Sequence, residues 1–101
     1  MSSQRLAAVQ RQVTFRPNPD VVAQRVGTDV VLVNLRTNRI YELNRTGARL
    51  WELIQEGHDR DQIQQHLLRE FDVEEAQLAL EIDAFLTRLG DADLIAEHGG
   101  R

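Results

Sequence analysis

Glu42-Leu43-Asn44-Arg45-Thr46-Gly47-Ala48-Arg49-Leu50-Trp51, the string ELNRTGARLW over residues 42–51, is where the apolar pattern of this 101-residue chain changes period. Before it, β-branched residues cluster in short runs; after it, apolar residues recur at helical spacing. Asn44 sits at the change, where its side-chain oxygen can accept from a free amide of a first helical turn. Gly47, Leu50, Trp51 and Ile54 then share one helical face, and Gly57 ends the segment. The stretch therefore predicts a strand running directly into a helix.

Working back from it, residues 40–43 (IYEL) follow a break at residues 36–39 (RTNR), and residues 30–35 (VVLVNL) follow a break at residues 27–29 (GTD). Residues 21–26 (VVAQRV) precede that break. Dense β-branching on both sides of short polar turns predicts three antiparallel strands, with the last at an edge. Residues 1–20 hold no sustained periodicity and include Pro17-Asn18-Pro19-Asp20, a turn-forming cluster whose prolines donate no backbone hydrogen bond. They are read as an extension, in which residues 13–15 can add an edge strand or a docking arm.

Working forward, Asp59 and Gln62 have the spacing of a capping box and open a second helix with Ile63, Leu67 and Phe71 as its apolar stripe. Asp72 and Glu75 repeat that spacing and predict the start of a third helix, in which Leu78, Ile82, Phe85 and Leu89 share a face. Gly90 and the turn at residues 91–93 end it, and Leu94-Ile95 can fold back on the core. The predicted fold is α+β: a three-stranded antiparallel sheet followed by three helices. It forms one domain over residues 21–95, between the extension at residues 1–20 and a tail at residues 96–101.

Composition narrows the function. Hydrophobic residues make up 42% of the chain but aromatic ones only 5%, which is thin material for a deep cofactor pocket, and no cofactor is expected. The absence of cysteine removes disulfides, thiolate metal sites and a cysteine nucleophile. No signal-like core opens the chain and no apolar run reaches the roughly 20 residues that span a bilayer, so a cytoplasmic location without a membrane partner is expected. The formal net charge of −4 opposes capture of nucleic acid, which needs a basic face. Acidic residues concentrate over residues 70–83. They can attract a basic peptide or simply solvate a helix face.

No catalytic set emerges. His58, His66 and His98 lack ligand-like spacing and predict no metal site. Glu81 and Asp83 are two positions apart on a helix and point in different directions. There is no nucleophile elbow, P-loop or dinucleotide-binding glycine motif. What remains is the edge strand. If its backbone is open, it can accept an extended peptide by β-augmentation, with selectivity from apolar anchors in the cleft beside it.

The string VLVNLRTNRIYELNRTGARLWELIQEG, followed by QIQQHLLREFDV and a last helix ending in ADLI, resembles the PqqD family, whose members include recognition elements for ribosomally made, modified peptides. The most specific part is Tyr41-Glu42-Leu43-Asn44-x-Thr46-Gly47-Ala48-x-x-Trp51. The family's acid-aliphatic pair in the third helix appears as Glu81-Ile82, with Glu where Asp is commoner. The resemblance implies a winged-helix-like fold and a non-catalytic protein that binds the leader of a precursor peptide between its third strand and third helix. It also implies a partner enzyme, a radical SAM enzyme or a peptidase, to which the peptide is presented. Carried onto this chain, the binding strand is Arg39, Ile40, Tyr41, Glu42 and Leu43, and the helix wall comes from Leu78, Glu81, Ile82 and Phe85.

Two other readings stay open on the sequence. A winged-helix DNA-binding regulator could present Arg60, Gln62, Gln64, Gln65 and Arg69 of the second helix to bases. Alternatively, the same edge strand could serve a partner protein inside a larger complex, with Leu6, Val9, Val13 and Phe15 of the extension covering the edge or promoting dimerisation.

Overall fold

The computed structural model describes residues 13–99, with side chains given for residues 14–97. The expectations for Leu6 and Val9, and for the side chains of Val13 and His98, lie outside the described residues. Strands β1 (Val13–Pro17), β2 (Val21–Val26), β3 (Asp29–Asn34) and β4 (Arg39–Leu43) precede helices α1 (Arg45–Gln55), α2 (Arg60–Glu70) and α3 (Glu75–Asp91), and β5 (Ile95–Gly99) follows.

The three-stranded antiparallel sheet has the order β2-β3-β4. Its first turn is tighter than the sequence suggests, because Val26 pairs directly with Asp29 and only Gly27 and Thr28 form the loop. Gly27 has φ +65°, the left-handed value that the first residue of a type II′ hairpin turn requires. Asn38, at φ 64°, does the same service in the longer turn before β4. Residues alternate along β3 between buried and half-buried, so Val30, Leu32 and Asn34 face the helices.

A second, two-stranded sheet joins β1 to β5, pairing Phe15 with Glu97 and Pro17 with Ile95. The segment before the sheet thus supplies a strand, and it pairs with the far end of the chain rather than with the edge of the main sheet. Leu94 and Ile95 do fold back on the core, at 1% and 6% exposure.

Each helix is set by local chemistry. Asn44 caps α1 by accepting from the Gly47 amide at 3.0 Å. The helix closes in a Schellman motif, in which the Gly57 amide donates to the Ile54 carbonyl and the His58 amide to the Leu53 carbonyl, with Gly57 at φ +89°. The predicted capping box opens α2: the Gln62 amide donates to Asp59 at 2.8 Å, and the Gln62 side chain accepts from the Asp59 amide at 2.9 Å.

The start of α3 departs from expectation. Its cap is Glu74, with no side-chain hydrogen bond, so Asp72 and Glu75 form no capping box. Phe71 is extended and half-buried at the end of α2, and the chain turns at Asp72, where the Val73 amide donates to the Phe71 carbonyl at 3.1 Å. A helix starting at Glu75 brings Leu78, its first buried residue, into the first turn. The far end differs as well. Gly90 lies within α3, and the left-handed residue of its Schellman closure is Asp93 at φ 59°. There the Asp93 amide donates to Gly90 and the Leu94 amide to Leu89.

Trp51, at 2% exposure, is the largest side chain in a core that also holds Leu32, Leu53, Ile54, Ile63, Leu67 and Ile82. Around this core, arginines tie helix to helix. Arg49 of α1 donates to both oxygens of Glu70 at the end of α2, at 2.8 and 2.9 Å. Arg60 of α2 reaches Asp83 at 2.7 Å and the Ala79 carbonyl at 3.1 Å on α3. Those hydrogen bonds from Arg49 hold the Glu70 carboxyl below its ordinary range, and Glu70 in turn raises Arg49.

Trp51→Ala is expected to cost about 3–5 kcal/mol through the cavity it leaves, read as a lower urea midpoint at unchanged slope. Glu70→Gln is expected to cost about 0.5–1 kcal/mol at neutral pH, because the pair is partly solvated. Since the folded state depresses the Glu70 pKa, that difference is present above the ordinary carboxylate range and is lost as pH falls through the folded value. Urea titrations of both proteins at pH 7 and pH 3 check it.

Candidate peptide groove

β4 has one strand partner, β3, so its other side is an edge among the described residues. Facing that edge, across a groove of about 670 Å³, stands the C-terminal half of α3. All five β4 residues line the groove. The register alternates their side chains: Tyr41 and Leu43 turn toward the helices, half-buried and buried, while Ile40 and Glu42 are exposed. The opposite wall is Phe85, Arg88, Leu89, Asp91 and Ala92, and Leu94 completes the lining.

Of the four helix residues expected to form that wall, Phe85 alone lines this groove. Leu78 and Ile82 are core residues at 2% and 1% exposure. With exposed Glu81, which accepts from Gln77 at 2.8 Å, they line a second cavity of about 310 Å³ beneath the start of α1 and the end of α2. Phe85 and Arg88 line both cavities. The Arg88 guanidinium lies over the Phe85 ring, 5.4 Å from its centroid. These two side chains form the partition between the cavities.

Beneath the partition sits Gly47 of the junction motif. A Cβ placed there would come within 3.0 Å of the Phe85 ring and 3.4 Å of Leu43. The glycine therefore lets α1, β4 and α3 meet closely, and its missing side chain is what gives Phe85 its position beside the groove.

The distance between the groove walls depends on Asn34, at 1% exposure the most deeply buried polar side chain. Its amide nitrogen donates to the Ala92 and Asp93 carbonyls at 3.1 and 3.2 Å, and its oxygen accepts from the Arg36 and Thr37 amides at 3.0 and 3.4 Å. One side chain thereby joins the end of β3 and the turn leading to β4 to the closing turn of α3. Nothing in the sequence singled it out; an Asn between strand residues, one position before the turn, was the available signal.

The groove's charged residues are Arg39 and Arg88 against Glu42 and Asp91. Such a balance suits a polypeptide better than a polyphosphate. The residues expected to read bases on α2 are largely occupied within the protein: Arg60 by Asp83 and the Ala79 carbonyl, Gln62 by the capping box, and Gln64 by Arg60. His58, in the α1–α2 turn, and His66 of α2 come together with ring centroids 4.6 Å apart. Among the described residues no group of three or more His, Cys, Asp or Glu is placed to hold a metal ion, and no helix is long and apolar enough to cross a membrane.

The edge strand, the facing helix and the glycine-bearing junction together define a groove between strand and helix. Residues 29–95 match the family model of coenzyme PQQ synthesis protein D, and the chain belongs to the PqqD family. Two solved structures are similar to it over nearly their whole length. One is TbiB1 in complex with the TbiA(β) leader peptide, 26% identical with a TM-score of 0.76, covering 79% of this chain and 93% of that one. The other is lasso peptide synthetase B1 complexed with the leader peptide, also 26% identical, with a TM-score of 0.74, covering 81% and 96%. No curated protein matches the chain in direct sequence comparison.

Asn34→Ala is expected to lower stability by about 2–3 kcal/mol, because it removes four hydrogen bonds made by a buried side chain. The loss should be accompanied by faster amide exchange at residues 92–94, measured by hydrogen–deuterium exchange under native conditions.

Proposed function

We propose that this protein is a non-catalytic carrier for the leader of a ribosomally synthesised precursor peptide. The leader adds to β4 as a further strand and is presented to a modifying enzyme, a radical SAM enzyme or a peptidase. The observation that carries the reading is the unpartnered β4 edge lying along an apolar-floored groove. Support comes from the family and from two similar proteins whose structures were solved with leader peptides.

Magnitudes say what such a site must do. An added strand opposite five residues can form about five ladder hydrogen bonds, each contributing about 0.5–1.5 kcal/mol net. Association costs about 4–15 kcal/mol in lost freedom before any affinity appears. The ladder alone is therefore marginal, and side chains entering the groove decide the affinity. Tyr41, Leu43, Phe85, Leu89 and Leu94 supply apolar surface for them. The leader is expected to carry apolar residues at alternating positions, because alternate side chains of an added strand point to the same face.

The test is a titration of the ¹⁵N-labelled protein with a synthetic leader from the precursor encoded beside its gene. Saturable shifts are expected at Arg39–Leu43 and along residues 85–92, and shifts confined to α2 would sink the reading. Phe85→Ala should weaken the leader by about tenfold, a loss of about 1.4 kcal/mol, while the protein stays folded by circular dichroism.

A further inference from the structure

The helices cover one face of the β2-β3-β4 sheet, and the register fixes what the other face carries. Val30, Leu32 and Asn34 of β3 are buried on the helix side, so the alternating Val31 and Val33 point away from it. Arg25 of β2, cross-strand from Val30, reaches Glu52 of α1 and confirms which side the helices occupy. Val33 stands between Val22 of β2 and Ile40 of β4. Val22 and Ile40 are 49% and 70% exposed, and Leu35, just beyond β3, is 61% exposed. An apolar row thus crosses all three strands on the outer face.

The ionisable side chains that the strands place on this face are Asp29 and Glu42, both acidic. That border disfavours nucleic acid and anionic lipid, which seek basic surfaces. Size narrows the occupant further. Three strands about 4.8 Å apart and roughly 20 Å long present roughly 300 Å², well under the roughly 800 Å² per partner of a stable dimer. The face is too small to hold a second copy by itself and large enough to contribute to a transient encounter. It is also continuous with the groove, since Ile40 belongs both to the row and to the groove lining. A protein reaching a peptide on β4 meets the row immediately beside it.

We propose that the outer face of the sheet docks the enzyme that acts on the groove-bound peptide, through an apolar patch on that enzyme bordered by Lys or Arg. The enzyme's role rests on the leader-carrier reading; the docking face rests on the sheet. Two contacts, one through the peptide and one through the row, then hold the enzyme where neither suffices.

The experiment uses the full chain and the purified modifying enzyme encoded beside its gene, with affinities read by biolayer interferometry for the enzyme and by fluorescence anisotropy for the synthetic leader. Neither Val22 nor Leu35 lines the groove. Val22→Arg is expected to weaken the enzyme by at least about tenfold while leader affinity stays within about twofold. Leu35→Ser, in the turn, gives the same readout if the strand variant fails to fold. Enzyme affinity unchanged in both variants would overturn the proposal, as would a wild-type dimer in light scattering that Val22→Arg dissolves. If the wild-type chain does not bind the leader but still binds the enzyme through Val22, the carrier reading falls and the docking face stands.

Discussion

The geometry of this protein turns on one buried amide. Asn34 ends the central strand, and its four hydrogen bonds reach the turn that launches β4 and the turn that closes α3. Beside that tie, the end of α3 is held near β4 by the Arg36–Asp93 ion pair at 3.2 Å and by apolar packing, which is strong but not directional. A buried polar side chain satisfied at both ends adds the missing direction. It does so next to two backbone devices that also need special geometry, Asn38 at φ 64° and Asp93 at φ 59°. The groove is consequently fixed at two ends, by the Asn34 tie to the turn at residues 92–94 and by the close approach of Leu43, Gly47 and Phe85.

The motif at residues 42–51 divides its work around this frame. Asn44 caps, Trp51 fills the core, and Gly47 removes a side chain so that Phe85 can come close. Phe85 in turn stands half-buried between the two cavities with Arg88 above it. The residues that make the motif recognisable are thus architectural, and they act on the groove through the ring they support. The strand that enters the motif is the one that leaves an open edge among the described residues.

This explains which parts were legible in the sequence. Periodicity located the three-stranded sheet, its edge, all three helices and the core positions Leu50, Trp51, Ile54, Ile63, Leu67, Leu78, Ile82 and Leu89, because burial on one face writes itself into spacing. Local hydrogen-bond chemistry was equally readable at Asn44 and at Asp59 with Gln62. It misled at Asp72, where tertiary placement of Phe71 and Leu78 overrides a favourable spacing. The β1–β5 pairing was illegible because it joins residues about eighty positions apart, which no local pattern encodes. So was the wall of the groove. A 17-residue helix is far longer than a five-residue strand needs, and periodicity cannot say which of its turns stands opposite; Asn34 says so in three dimensions, selecting Phe85, Arg88 and Leu89.

The same lengths bear on specificity. At about 1.5 Å per residue α3 spans roughly 25 Å, and β4 at about 3.4 Å per residue spans roughly 17 Å, so the helix extends past the strand toward the second cavity. A ligand limited to the strand would touch only the lower part of that helix, and its selectivity would come from two or three side chains beside Tyr41, Leu43 and Phe85. Because Phe85 and Arg88 face both cavities, a ligand side chain that displaces them changes the shape of the second cavity as well. On the carrier reading proposed above, discrimination among leaders would fall at this partition, where one ring and one guanidinium stand beside the strand. A backbone ladder on β4, indifferent to sequence, would only hold such a ligand in register.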